Sequence, residues 1–136
     1  MKQQLGHIAL VVDDYDKAIA FYTEKLGFKL VEDTALTDTK RWVLVSPIGS
    51  STSLLLAKAV NEEQRSRIGN QAGGRVFLFL YTDDINRDMR SMRAAGISFV
   101  REPAKESWGT VAVFEDIYGN LWDLIEKNND EETMPG

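Results

Sequence analysis

Residues 7–28, HIALVVDDYDKAIAFYTEKLGF, and residues 77–99, FLFLYTDDINRDMRSMRAAGISF, follow one plan. Each starts with a short, nearly all-apolar run and reaches a pair of aspartates. Each then runs through a helical pattern to a glycine, after which another extended run begins. Asp13-Asp14 matches Asp83-Asp84 at an offset of 70, and Gly27 matches Gly96 at 69. A chain that repeats itself in this way folds as two copies of one supersecondary module.

The parts of the repeat have physical roles. An aspartate before a helix accepts hydrogen bonds from the free N–H groups of the first turn and favours its positive end. Ala18, Ile19, Tyr22 and Leu26 recur at helical spacing in the first helix, as do Ile85, Met89 and Met92 in the second. Gly27 and Gly96 suit the left-handed position past a helix end. Three apolar runs follow each helix: FKLVED, RWVLVSP and TSLLLAK, then ISFVRE, GTVAVFED and LWDLIE, with turn signals at SPIGSS and IYGN. The order is βαβββ, a connector, and βαβββ again, an α+β architecture. Module one is expected over 5–57, the connector over 58–74 with a helical turn or two capped by Asn61, and module two over 75–127. Together they form one domain over 1–127, and the polar tail, 128–136, is expected to be disordered.

GHIALVVDDYDKAIAFYTEKLGF and FEDIYGNLWDLIE, taken with the duplication, resemble the vicinal oxygen chelate superfamily of glyoxalases, bleomycin-resistance proteins and dioxygenases. The resemblance covers residues 5 to about 127. It implies curved mixed sheets around a cleft with helices outside, and a homodimer. It also implies one divalent metal, held by a His or Glu from the first strand and a Glu or His from the last strand of each module. His7 occupies the first such position and Asp123, a shorter carboxylate, the last; the repeat counterpart of His7 is Phe77, which binds no metal. The remaining position falls on Ser53, Leu54 or Leu55, depending on loop length, and none of these is an imidazole or carboxylate. A tight catalytic metal usually takes three protein ligands, so no metal cofactor is expected; if one binds, His7 and Asp123 hold it.

Strands alternate faces. If His7 faces the cleft, Ala9 and Val11 do so too, and repeat symmetry adds Phe77, Phe79 and Tyr81. In the last strand Asp123 faces in with Leu121 and Ile125. His7 is expected to be partly buried, and packing is the default for Trp42 and Trp108. Arg41 and Arg75 could hold an anion, but a solvated role is the default for both. Apolar walls with few polar groups describe a small-molecule pocket. The expected function is therefore metal-independent sequestering or sensing of a small, partly aromatic ligand by His7, Phe77, Phe79, Tyr81 and Asp123. The alternative is a glyoxalase-like lyase, isomerase or dioxygenase with a divalent metal at His7 and Asp123, or with Asp123 as the catalytic base.

Other classes are excluded by what is missing. There is no cysteine, hence no disulfide, thiolate metal site or cysteine nucleophile. A net charge of -5 and no clustered basic face argue against nucleic acid. No apolar run approaches the ~20 residues that span a bilayer. A cytoplasmic location is expected.

Overall fold

A computed structural model of the chain describes residues 1–128. The tail expected to be disordered lies, apart from Asn128, outside the described residues. The chain divides into two compact units, Met1–Gln71 and a second beginning at Ala72.

In the first unit β1 (His7–Val12), α1 (Tyr15–Ala20), β2 (Lys29–Ala35), β3 (Arg41–Ser46), β4 (Ser53–Lys58) and α2 (Glu62–Ser66) follow in order. The strands make one mixed sheet in the order β1-β4-β3-β2, with β1 parallel to β4 and the other pairs antiparallel. Leu10 and Val12 of β1, Leu54 and Leu56 of β4, and Val43 and Val45 of β3 are buried, as are Tyr15, Ala18, Phe21 and Tyr22. His7 and Ala9, one residue out of phase with that core, are exposed.

In the second unit β5 (Val76–Tyr81), α3 (Ile85–Ala94), β6 (Phe99–Glu106), β7 (Gly109–Glu115) and β8 (Leu121–Lys127) repeat the plan, with sheet order β5-β8-β7-β6. Trp122, Phe114, Leu124 and Ala112 are buried with Ile85, Met89 and Met92. The ring of Phe114 stacks on Trp122 at 5.6 Å between centroids.

The aspartates act as caps. Asp14 accepts a hydrogen bond from the Lys17 N–H at 2.8 Å, and Asp84 one from the Arg87 N–H at 3.0 Å. Gly27 and Gly96 sit at φ of 82° and 90°, where a side chain would be strained. Asn61 caps α2 through the Gln64 N–H. Module one, however, departs from a plain α-helix. After Ala20 the chain widens into a π-helical segment, Phe21–Lys25, where the Leu26 N–H reaches the Phe21 carbonyl. One more residue separates cap from glycine here than in module two, and the wider turn absorbs it without moving either end.

The turn before β8 is built by its own polar groups. Buried Asp116 accepts from the backbone N–H of Tyr118 and Asn120 and from the Asn120 side chain, each at 2.9 Å. That network sets where β8, the strand that carries Asp123, begins. On the outer side of β1, the Gln71 side chain accepts from the Val11 N–H (3.1 Å) and donates to the Ala9 carbonyl (3.3 Å), as a neighbouring strand would.

Candidate functional site

Pairing between strands assigns the open face of each sheet. In the first unit His7 lies beside Ser53, Ala9 beside Leu55, and Val11 beside Ala57; Leu55 also pairs with Leu44. In the second, Phe79 lies beside Asp123, which pairs with Val113, and Tyr81 lies beside Ile125. Ala9–Leu55–Leu44 therefore corresponds to Phe79–Asp123–Val113. Of the three residues that loop length left open, Leu55 is the counterpart of Asp123.

The two strand starts differ. The β1–β4 register is unbroken from His7, whereas β5 has a bulge between Val76 and Leu78. Phe77, the counterpart of His7, is left out of the ladder, as the extra residue of a bulge is. Phe79 and Tyr81 keep the expected alternation and are 59% and 52% exposed. Ile125 shares their face by register yet is buried.

Asp123 is half-buried between these apolar neighbours. Burial raises its carboxyl above the ordinary carboxylate value, and the Arg101 guanidinium opposes that shift. Lys127 places its ammonium over the Tyr81 ring, 5.0 Å from the centroid.

His7 is exposed, not partly buried, because β1 turns it away from the helix side. Its ring meets Trp42 edge-on, with centroids 5.8 Å apart and planes at 78°. Trp42 is a functional candidate that sequence reasoning left to packing. The alternation RWVLVS carried the signal: Val43 and Val45 are the core phase, which puts Trp42 on the other face.

Trp42 lines a cavity of about 540 Å³ in the first unit. Tyr15, Leu55, Leu56, Ala57 and Val60 supply the rest of its apolar wall. Arg41 is bound in place. Its guanidinium holds Asp33 through two hydrogen bonds (3.1 and 2.7 Å), contacts Asp16 at 3.0 Å, and lies over the Tyr15 ring. The hydrogen bond from Arg41 holds the Asp33 carboxyl below its usual value.

The residues do not fit a metal held by three protein ligands within either unit. The first open face offers His7 beside Ser53 and Leu55, and the second offers Asp123 beside Phe79. Among the described residues no three histidine, cysteine or carboxylate side chains gather as a metal site would require. His7 and Asp123 belong to different units.

The family model for the Glyoxalase/Bleomycin resistance protein/Dioxygenase superfamily matches residues 4–124. An uncharacterized protein of Shewanella frigidimarina is 62% identical over 131 residues, spanning 95% of this chain and 97% of its own. A probable lactoylglutathione lyase of Vibrio cholerae is 27% identical, spanning 96% and 95%. Among solved structures, UcmS2 is 34% identical with a TM-score of 0.80, covering 92% of this chain and 98% of its own. TnmS3, an antibiotic-binding protein from Streptomyces sp. CB03234, is 29% identical with a TM-score of 0.75, covering 93% and 98%. Sheet order, paired modules and these matches agree: the chain belongs to the Glyoxalase/Bleomycin resistance protein/Dioxygenase superfamily.

Proposed function

We propose that this protein binds a small, partly aromatic molecule on the open faces of its sheets, and sequesters or senses it without a metal. One observation carries the reading. Phe79 and Tyr81 stand exposed, two residues apart, on the face opposite the helix-packed core. Aromatic faces offered in this way suit planar or cationic ligands. The cavity beside Trp42 and the likeness to an antibiotic-binding protein support it. The candidate binding residues are His7, with Trp42 added, in the first unit, and Phe77, Phe79, Tyr81 and Asp123 in the second. The protein works as a cytoplasmic homodimer, a state that light scattering on purified protein tests.

The test is a thermal-shift and fluorescence screen of planar aromatic compounds, bleomycin included, repeated on Phe79→Ala and Tyr81→Ala. The reading expects hits whose affinity falls about tenfold or more in one variant, the loss of one aromatic contact surface. Hits unchanged in both would sink it. Metal independence has its own check. Added Ni, Zn, Mn, Fe(II) or EDTA should leave the melting temperature in place, because a metal that binds the folded state preferentially raises it. Near-stoichiometric metal that is lost in His7→Ala would overturn this part.

A second reading rests on the raised Asp123 carboxyl. A carboxylate among apolar groups is a stronger base than one in water and can take a proton from a bound substrate. The relatives include a probable lactoylglutathione lyase. If the chain is such an enzyme, Asp123→Asn abolishes turnover in a lactoylglutathione lyase assay; full activity in that variant removes Asp123 from the chemistry.

A further inference from the structure

The cavity in the first unit has a rim of one sign. The chain has 21 acidic and 16 basic residues, yet each charged side chain lining this cavity is basic: Lys40, Arg41 and Lys58. Arg41 is neutralised by Asp33 and Asp16 and serves as wall. Lys40 and Lys58 differ. Among the described residues neither takes part in an ion pair.

The uncharged polar groups lean the same way. The Gln64 side-chain oxygen accepts from the Val60 N–H at 2.9 Å, which leaves its NH2 end to donate. Between these donors the wall is apolar, with Trp42 as its largest surface. The repeat shows that the rim belongs to this unit alone. Counting along the strands from Leu44–Leu55 and Val113–Asp123, Lys40 stands where module two has Gly109, and Lys58 where it has Glu126.

We infer that the ligand of this cavity is a planar, mostly apolar molecule with an acidic group, a carboxylate or a sulfonate, at one end. This deepens the proposed function and rests on it, since it names the ligand class for the cavity beside Trp42. The flat body lies against Trp42, and the acid reaches the ammonium groups of Lys40 and Lys58. Both lysines are exposed, so each contributes modestly and the preference comes from the pair together with the rim's uniform sign.

The test compares three shape-matched probes: 2-naphthoate, neutral 2-naphthamide and cationic 2-naphthylmethylammonium. Binding is followed by NMR at the indole N–H of Trp42, on wild type and on the Lys40→Glu, Lys58→Glu double variant. The expected result is that naphthoate binds about tenfold tighter than the amide, that the ammonium probe is weakest, and that the order reverses in the double variant. Added salt should weaken naphthoate alone. Equal binding of naphthoate and naphthamide would overturn the charge preference while leaving small-molecule binding intact. If naphthoate shifts signals only away from Trp42, the cavity assignment falls. If no probe moves a signal on either open face, the proposed function fails with it.

Discussion

The two units are built from one sequence pattern, yet their open faces have exchanged the position of bulk. In the first, the strand before the helix carries small side chains, Ala9 and Val11, and the large ring sits across the sheet on Trp42. In the second, the strand before the helix carries Phe79 and Tyr81, and β7 offers Val111 and Val113. Leu55 faces one side where Asp123 faces the other. The core phase is free of this exchange. Ile8, Leu10, Leu54 and Leu56 answer to Leu78, Leu80, Trp122 and Leu124, apolar in both. Packing against a helix demands apolar side chains at those positions in either copy. The open faces are under no such demand, so they are where two copies of one module can take up different tasks.

The comparison breaks most readily at Gly109. A Cβ there would run into the carbonyl oxygen of Glu126 and lie 3.1 Å from the Lys127 Cα, both backbone atoms. Gly109→Ala should destabilise the protein by about 2 kcal/mol or more, the usual range for overpacking against rigid neighbours. Lys40→Ala, at the matching point of module one, should stay within about 0.5 kcal/mol. Urea denaturation of the two variants measures the contrast, and equal losses would mean that the units are not aligned as the pairing indicates.

A smaller effect concerns the outer side of β1. Gln71→Ala removes two hydrogen bonds to the strand and should cost about 1–2 kcal/mol. Hydrogen exchange should accelerate at the Val11 amide, which loses its partner. Unchanged protection at Val11 would show that the side chain does not act as a strand there.

The glycines sharpen the likeness instead of the difference. Gly27 and Gly96 hold nearly the same φ, so Gly27→Ala and Gly96→Ala should each cost about 1 kcal/mol. A much larger loss at Gly27 would mean that the π-helical segment before it holds the strain that the simple count of residues suggests it absorbs.

The smallest expected effect depends on pH. The Asp123 carboxyl is raised by burial, so the folded state holds its proton more tightly than the unfolded state does. Its contribution to stability is fully present below the ordinary carboxylate pKa and is lost as pH rises through the folded value. Asp123→Asn should therefore raise the melting temperature at pH 7 and leave it unchanged in acid below the carboxylate range. Leu55→Asn, at the uncharged counterpart, should shift melting equally at both pH values. A pH-independent effect at Asp123 would contradict its partial burial as an ion.

Much of this was legible before the fold was known, because helix caps, positive-φ glycines and strand alternation are local. Asp14, Asp84, Gly27, Gly96 and Asn61 each take the place that the chain order implies. The partner of Asp123 in module one was not legible, since two residues of loop between Gly49 and Leu55 shift a whole strand against the repeat. The bulge at Phe77 and the π-helical turn after Ala20 were hidden for the same reason: one residue more or less changes the pairing without changing the composition. Trp42 was left to packing because a tryptophan at the head of an apolar run reads as core until the phase of Val43 and Val45 is used. The cavity it lines also takes in Lys40 and Lys58, which are distant in sequence and come to line one cavity only in the folded sheet.

The most direct test is a crystal structure of the protein with 2-naphthoate at saturating concentration. The account predicts a naphthalene ring against Trp42 and Leu55 with its carboxylate directed at Lys40 and Lys58. A ring bound away from both open faces, or a carboxylate directed away from the lysines with the cavity filled, would contradict it.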